Sequence, residues 1–235
     1  MFAVAQPPWC RVRNKPSDAR FGKTPSRCTS GSVASVAGWD SPGERRVILV
    51  PMMTRYLVLL RGINVGGRNK VPMAGLRELL ESHGHTKVST YIASGNVILT
   101  SDQSAAAIKR ELEEALPKTF KLDSELIAVL VLTLAQLRAV VRKRPKGFGD
   151  HPERYHSDAV FLMGIDARTA MKVFDPRPGV DEVWPGTGVI YSQRLSAQRT
   201  KSRLGKIVGT PAYKSMTIRS WQTTIALLER MEAEA

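Results

Sequence analysis

The fold of this chain is decided by RYLVLLRGINVGGRNKVPMAGLRELL, residues Arg55 to Leu80. It opens with the continuously apolar run Tyr56 to Leu60, which is typical of a central strand buried on both faces. After a glycine-rich, basic loop, Pro72 stands at a first helical position, where its missing N–H costs nothing, and Gly84 is a ready helix stop. Apolar residues recur between them at helical spacing: Met73, Leu76, Leu79 and Leu80. This stretch therefore predicts a strand, a loop and a helix.

A β-hairpin is predicted directly after this helix. The β-rich runs Val88 to Ile92 and Val97 to Thr100 flank the turn sequence Ser94 to Asn96. We expect Asn64, after the first strand, and Asn96 to lie at opposite strand ends. The two asparagines are therefore not assigned to one site.

A second helix and another strand complete the first half. Asp102 is the expected helix cap and Pro117 the expected helix end. An apolar run up to Thr133 predicts a buried strand, and Thr133 and Gln136 have capping-box spacing for a short helix. The order βαββαβ, with short links and right-handed crossovers, predicts a ferredoxin-like α/β plait, a four-stranded antiparallel sheet with helices on one face.

The second half repeats much of this order after a basic, Pro- and Gly-containing connection, Arg142 to Ser157. A strand, a helix capped by Asp166 and a hairpin around Pro185 to Gly188 follow in turn. We expect helices from Thr200 to Val208 and from Thr217 to Met231, so that a C-terminal helix stands in place of a clear fourth strand. The expected fold class is α+β, with two ferredoxin-like domains and that terminal helix.

The predicted domain organisation has three segments, residues 1–52, 53–145 and 146–235. The first is rich in Pro, Ser, Gly and Arg and holds 8 basic and 3 acidic residues, a composition that buries too little apolar surface to fold. We interpret it as a disordered N-terminal extension. Met52 and Met53 make a misassigned start the favoured explanation, with a natural disordered tail or a targeting segment as alternatives.

The composition is typical of a soluble globular protein with anionic partners. Hydrophobic residues make up 43% of the 235 residues, and no apolar run approaches the ~20 residues that span a membrane. The formal net charge of +14 favours nucleic acid, nucleotides or acidic surfaces. Both cysteines, Cys10 and Cys28, lie near the N-terminus, which fits a reducing, cytoplasmic compartment.

Three stretches resemble one bacterial family: LRGINVGGRNKVPMAGLRELLESHG, VSTYIASGNVILTS and TKSRLGKIVGTPAYKSMTIRSWQTTIALLE. They are similar to the family catalogued as domain of unknown function 1697, over essentially all of Met53 to Glu232. The resemblance implies a cytoplasmic protein of two plait-like domains, and it implies no activity or catalytic residue. The C-terminal motif of the family commonly reads TxRNxNT, whereas Ser220 and Gln222 stand here at the two Asn positions.

The glycine-rich loop is the main candidate site. Such loops expose backbone N–H groups, and a helix N-terminus adds positive potential, so the loop could hold a phosphate group. It is neither a P-loop nor a dinucleotide fingerprint, because the spacing differs. The candidate anion-binding residues are Arg61, Gly62, Asn64, Gly66, Gly67, Arg68 and Lys70, with Arg219 as a further contact. The alternative is a tight turn with solvated basic side chains.

A second basic feature lies near the C-terminus. Seven basic residues and no acidic residue occur from Arg194 to Arg219, and together with those of residues 138–146 they could follow a phosphate backbone. The alternative is a solvated helix face. The aromatic signature of RNA-binding plaits is absent, so base stacking on the sheet is not expected.

Patterns for catalysis or metal binding are not found in the sequence. No histidine spacing matches a helix-borne metal pair, no cysteine follows Cys28, and G-x-S-x-G is absent. His156 is the best titratable candidate and is interpreted as ordinary packing. We predict binding of an anionic ligand, nucleotide-like or nucleic acid, without a cofactor or metal. The alternatives are an enzyme acting on a phosphorylated small molecule in an interdomain cleft and a non-catalytic interaction module.

Overall fold

The computed structural model of this protein describes three ranges of the chain, residues 33–37, 47–123 and 127–233. These belong to one unit, residues 31–235. The predicted disordered extension, residues 1–52, lies mostly outside the described ranges. Within it the structure describes two short antiparallel strands, β1 (Val33–Ala37) and β2 (Val47–Pro51). No described helix combines the length and the apolar character needed to cross a membrane.

The N-terminal half forms a four-stranded antiparallel sheet. Its elements are, in chain order, β3 (Thr54–Arg61), α1 (Met73–Ser82), β4 (Thr86–Tyr91), β5 (Asn96–Ser101), α2 (Ala105–Thr119), β6 (Ala128–Thr133) and α3 (Leu134–Arg142). The strands lie in the order β4-β5-β3-β6, and each neighbouring pair is antiparallel. The predicted βαββαβ order of this half is confirmed.

Two helix boundaries of this half differ from the prediction. Ser104, and not Asp102, caps α2, because its hydroxyl accepts a backbone N–H of the first turn at 3.2 Å. The same helix continues through Pro117, since a proline in the last turn removes only one hydrogen bond. The capping box formed by Thr133 and Gln136 at the start of α3 is confirmed.

The C-terminal half forms a second four-stranded antiparallel sheet. Its elements are β7 (Tyr155–Leu162), α4 (Ala167–Met171), β8 (Asp181–Pro185), β9 (Val189–Leu195), three 3-10 segments (Ser196–Lys201, Leu204–Gly209 and Pro211–Ser215), β10 (Met216–Ser220) and α5 (Trp221–Ala233). The strand order is β10-β7-β9-β8, again antiparallel throughout. The hairpin predicted around Pro185 to Gly188 and the Asp166 cap of α4 are confirmed.

One helix predicted in this half, Thr200 to Val208, is wrong, and the predicted C-terminal helix is confirmed with a later start. The range 200–208 forms 3-10 segments, and the range 217–220 belongs to β10, so that α5 begins at Trp221. Met216 to Ser220 pair with β7 residue by residue, and this pairing supplies hydrogen bonds that an isolated five-residue segment lacks. A fourth strand therefore completes the second sheet, where the sequence suggested only a terminal helix.

Helices cover both faces of the first sheet, whereas the sequence predicted helices on one face. Val58 and Leu60 of β3 pack in one core with α1 and α2. Leu57 and Leu59 point to the other face and pack in a second core with α3, α5 and the second sheet. The second face is covered because the C-terminal half packs there, which explains why Tyr56 to Leu60 of β3 form a continuous apolar run.

Aromatic rings form the centre of this second core. Phe148 contacts Tyr191 and Trp221 edge to face, with ring centroids 5.1 and 5.0 Å apart. The Tyr191 hydroxyl donates to the carbonyl oxygen of Val140 in α3 at 2.7 Å, and burial raises the pKa of Tyr191 to about 12. Trp221, the first residue of α5, belongs to this core, so the core anchors the chain directly after β10.

Candidate anion-binding site

Arg219 ties β10 to the C-terminal end of β3. Its Nη2 donates to the carbonyl oxygens of Leu60 and Ser94 at 2.9 and 3.0 Å, and its Nε donates to Oδ1 of Asn96. Its Nη1 donates to the Thr217 hydroxyl at 2.9 Å and to a neighbouring carbonyl at 2.8 Å. An arginine has five N–H groups, and all five of Arg219 have acceptors. The side chain therefore acts as a fixed bridge between the two sheets.

The guanidinium of Arg219 is also a buried charge. The residue is 8% exposed, and burial lowers the pKa of Arg219 to about 10, so the group stays protonated at neutral pH. Its acceptors are carbonyl, amide and hydroxyl oxygens, and no ion pair to a carboxylate is found for it within the described ranges. Buried charges are normally paired with a group of opposite charge. The positive charge of Arg219 is instead surrounded by neutral oxygen atoms.

Arg61, the last residue of β3, lies next to this bridge and is only partly engaged. Its Nε donates to the carbonyl oxygen of Met216 at 2.9 Å, and its guanidinium lies 5.0 Å from the ring centroid of Tyr213. Among the residues that the structure describes, its two terminal nitrogens have no hydrogen-bond partner. Arg61 is thus oriented by contacts with the C-terminal half and retains donors for a ligand.

The glycine-rich loop is closed by its own asparagines. Asn64, with φ of 54°, donates from Nδ2 to the carbonyl oxygens of Val71 and Ala93 at 3.0 and 2.8 Å, and its Oδ1 accepts the Val71 N–H at 2.9 Å. Its amide is therefore engaged by the backbone. Asn64 lines the site and shapes the loop, and its side chain is not a free ligand donor.

Asn69 closes the other side of the loop. Its Nδ2 donates to the carbonyl oxygen of Gly62 at 2.7 Å, and its backbone N–H donates to Asp123 at 2.8 Å. The N–H of Asp123 returns a hydrogen bond to Oδ1 of Asn69 at 2.7 Å. Several N–H groups that the sequence suggested for anion binding are consequently used within the protein.

The tip of the loop points into solvent. Gly66 and Gly67 adopt φ of 58° and 79°, and a Cβ atom at either position would meet nothing within 4 Å. Arg68 and Lys70 are exposed. These four predicted residues therefore lie apart from the pocket that Arg61 and Arg219 line.

Four of the predicted residues meet around one pocket of about 210 Å³, which we call the Arg61 pocket. Its predicted members are Arg61, Gly62, Asn64 and Arg219. The remaining described lining residues come from both halves of the protein: Leu60, Ile63, Val65, Ser94, Tyr213, Met216, Thr217 and Ile218. None of these lining residues is acidic, so the two guanidinium groups determine the charge of the pocket.

The expected separation of Asn64 and Asn96 is wrong. Asn96 pairs with Leu59 near the end of β3, because the start of one antiparallel strand lies beside the end of its neighbour. The Asn64 side chain reaches the Ala93 carbonyl of the same turn, and Arg219 reaches Asn96. Both asparagines therefore shape the same end of the sheet.

Sequence reasoning missed Asn96, Tyr213 and Thr217 as parts of this site. Thr217 lies two positions before Arg219 in the same C-terminal motif, and this proximity is the signal that could have found it. Asn96 is 123 positions from Arg219, and no local pattern relates them. Tyr213 lies in a 3-10 segment that the periodicity did not single out.

The C-terminal basic segment is partly neutralised. Arg203 and Lys206 both pair with Asp175, at 3.2 and 3.4 Å, and Arg194 pairs with Asp158 at 3.4 Å. These ion pairs interrupt the basic series along the segment. It consequently presents a weaker continuous positive surface than its sequence suggests.

Metal-ligating and acid–base groups are sparse around the Arg61 pocket. Within residues 47–123 and 127–233, no cluster of three or more His, Cys, Asp or Glu residues is arranged to hold a metal ion. His156 lies in the second sheet, with Nε2 3.2 Å from Oδ1 of Asp158 and a half-exposed side chain. It does not line the Arg61 pocket.

Comparisons with known proteins give a family and a structural relative. A family model described as Protein of unknown function (DUF1697) matches residues 53–191. A solved structure titled as that of conserved bacterial protein SP0830 from Streptococcus pneumoniae is 29% identical in sequence, with a TM-score of 0.65; the match covers 77% of this chain and 99% of that one. Comparison with curated proteins gives no match.

Proposed function

The chain belongs to the family described as Protein of unknown function (DUF1697), and we propose that it binds a small anionic molecule in the Arg61 pocket. The observation that carries this proposal is that two arginines, Arg61 and Arg219, line the pocket, and that none of its described lining residues has a carboxylate. An anion there would compensate a charge that the fold keeps buried and unpaired. A phosphoryl or carboxylate group is the chemistry that guanidinium groups favour.

The two arginines have different tasks in this proposal. Arg61 binds the anion directly, because its terminal nitrogens remain available and its ring contact with Tyr213 holds the guanidinium in place. Arg219 contributes a fixed positive charge without rearranging, since its donors are already used. A preorganised charge costs little reorganisation when a ligand arrives.

A small molecule is favoured over nucleic acid. The Arg61 pocket of about 210 Å³ is below the roughly 300–1,000 Å³ of typical small-molecule sites, so it suits a single phosphoryl or carboxylate group with a compact substituent. The ion pairs of Asp175 and Asp158 also weaken the surface that would follow a nucleic-acid backbone. The described lining contains no histidine or carboxylate for acid–base work, which favours binding over catalysis.

We also propose that each half is a ferredoxin-like plait, with the boundary between residues 145 and 146. Numbered within its own half, each sheet has the strand order 4-1-3-2 with antiparallel neighbours, which is the arrangement expected for a plait. A cytoplasmic location is proposed from the absence of cysteine after Cys28. Together these proposals describe a ligand-binding protein that acts where its two halves meet.

The test compares two arginines of the same loop region. In low salt, inorganic phosphate and AMP are titrated into the protein and into its Arg61→Ala and Arg68→Ala variants, with affinity read by calorimetry. We expect Arg61→Ala to lose about tenfold in affinity and Arg68→Ala to lose less than about twofold. Equal losses would indicate a general effect of net charge and would contradict the proposal.

Salt dependence separates a pocket from a nucleic-acid surface. A small anion held by the partly buried guanidinium of Arg61 should show a shallow dependence of log K on log salt, whereas a strand contacting several phosphates should show a steep one. We expect retention of a short single-stranded oligonucleotide to be weak and equal in both variants. Tight binding with a steep slope that Arg61→Ala does not change would favour the nucleic-acid alternative.

A further inference from the structure

A second pocket of about 270 Å³ lies on the outer face of the second sheet, and we call it the Asp158 pocket. Its polar floor is formed by neighbouring strands: His156 and Asp158 of β7, and Ser192 and Arg194 of β9. The 3-10 segment Leu204–Gly209 covers it from above. Of its described lining residues, only Ile218 also lines the Arg61 pocket.

The floor carries two opposite charges, Asp158 and Arg194, and the imidazole Nε2 of His156 lies 3.2 Å from Asp158 Oδ1. Arg194 Nη1 lies 3.4 Å from Asp158 Oδ2, compared with about 2.7–2.9 Å for a well-formed charged hydrogen bond. Both side chains are largely withdrawn from water, with 12% of Asp158 and 20% of Arg194 exposed. Burial raises the pKa of Asp158, although His156 and Arg194 act in the opposite direction. A carboxylate oxygen accepts more than one hydrogen bond and a guanidinium has five donors, so Asp158 and Arg194 both retain capacity for a further partner.

The roof of the Asp158 pocket is apolar. Leu204 and Ile207 are 4% and 3% exposed, whereas Val208, which also lines the pocket, is 57% exposed. An exposed valine beside a polar floor gives the opening an apolar edge. A bound molecule that covered Val208 would gain hydrophobic contact at the same time as polar contact.

We propose that the Asp158 pocket binds a free α-amino acid with an aliphatic side chain. Its ammonium group contacts Asp158 and its carboxylate contacts Arg194, so that each charge gains a further partner of opposite sign. Its side chain packs against Ile207 and Val208. A simple carboxylate would face Asp158 without compensation, and a simple amine would face Arg194, so the floor selects a ligand that carries both groups.

The test uses the full chain and three related molecules. L-leucine, 4-methylpentanoate and 3-methylbutylamine are titrated by calorimetry; the second lacks the ammonium group and the third lacks the carboxylate. We expect leucine to bind with a Kd at or below the millimolar range and each analogue to bind at least about tenfold more weakly. Absence of leucine binding, or equal binding of an analogue, would overturn the proposal.

Variants at the pocket edge keep the test independent of folding. Val208→Asp changes an exposed residue and should weaken leucine binding at least about tenfold, while Ile92→Asp, at another residue that is 53% exposed, should leave it unchanged.

Asp158→Asn should abolish binding, and a melting curve verifies that it folds. Arg61→Ala should leave leucine binding intact, so this inference stands or fails separately from the anion site. Unchanged binding in Val208→Asp would contradict it.

Discussion

At the scale of single residues, Arg219 and the glycine of the neighbouring turn decide the geometry of the site. Arg219 donates to carbonyl oxygens of the β3–β5 end, and Gly95 supplies the turn against which it packs. A Cβ atom on Gly95 would lie 2.8 Å from Leu60 Cβ and 2.9 Å from Ile63 Cδ1. Both residues are therefore constrained by distant parts of the chain as well as by their own sequence neighbours.

Replacing Arg219 by lysine should destabilise the protein although the charge is kept. Lysine offers one nitrogen where arginine presents five N–H groups, so buried oxygens of Leu60, Ser94 and Asn96 cannot all be satisfied. We expect a loss of about 2–4 kcal/mol in the free energy of unfolding, measured in urea. Arg68→Lys, at an exposed position, should change it by less than about 0.5 kcal/mol. Equal small effects would show that the bridge contributes nothing.

Two glycines with the same backbone angle allow a matched comparison. Gly95 and Gly67 both have φ of 79°, but a Cβ atom at Gly67 would meet nothing within 4 Å. Gly67→Ala should cost about 1–2 kcal/mol from backbone strain alone. Gly95→Ala should cost at least about 1 kcal/mol more, because Leu60 and Ile63 must move. Denaturant melts of both variants test this, and equal costs would mean that the turn tolerates the added methyl group.

Asp181 gives the fold a dependence on acid. Burial raises its pKa, but hydrogen bonds from the backbone N–H groups of Arg203 and Arg177, at 2.8 and 3.0 Å, outweigh this and lower the pKa of Asp181 below 3.8. A depressed pKa means that the stabilisation is present above pH 3.8 and is lost as the pH falls through the folded value.

The corresponding variant is Asp181→Asn. At pH 7 it should be less stable than the parent protein by about 1.5–3 kcal/mol, and this difference should shrink once the pH is below the folded pKa of Asp181. Urea denaturation of both proteins at pH 7 and at a pH below the folded pKa of Asp181 measures the difference in the free energy of unfolding. Asp102→Asn, at an exposed carboxylate, should have little effect at either pH. A difference that does not change with pH would rule out the charged form of Asp181 as its source.

At the scale of secondary-structure elements, helix caps and strand ends position the site. The β3–α1 connection closes through Asn64 and Asn69, and the 3-10 segment Pro211–Ser215 brings Tyr213 over Arg61. Strand β10 then aligns Arg219 with the end of β3. Each element is short, so its position depends on the contacts at its ends.

The cap of α2 tests how well an element boundary is understood. Ser104→Ala removes the acceptor of a first-turn N–H and should cost about 1 kcal/mol. Asp102→Ala changes the residue that the sequence pattern favoured and should cost less than about 0.5 kcal/mol. Chemical denaturation of both variants decides between them. A larger effect of Asp102→Ala would restore the boundary expected from the sequence.

At the scale of the whole molecule, one shared core joins the two sheets. Among the residues whose burial the structure describes, the buried hydrophobic core extends from Tyr56 to Met231. The Arg61 pocket draws its lining from both halves, so its shape depends on the core that holds them together. Gly66 and Gly67, at the tip of the glycine-rich loop, are exposed and do not line this pocket.

A chain shortened to begin at Met53 should therefore fold normally. Because the described core lies after this residue, we expect a Tm within a few degrees of that of the full chain, measured by circular dichroism. Removing Trp221–Ala233 is the control, because α5 contributes five buried residues, and it should abolish cooperative unfolding. A large drop in Tm for the shortened chain would assign residues 1–52 to the fold.

Local patterns in the sequence determined the strands and helices of the first half, its hairpin and the capping box of α3. These features depend on interactions between residues a few positions apart, such as a hydroxyl and an N–H in one turn. The tertiary structure alone decided that residues 216–220 form a strand and that Arg219 bridges the sheets. Arg219 and Leu60 are 159 positions apart, and β10 forms where β7 offers a pairing edge. Such contacts arise from packing of the whole chain, which a short window of sequence does not contain.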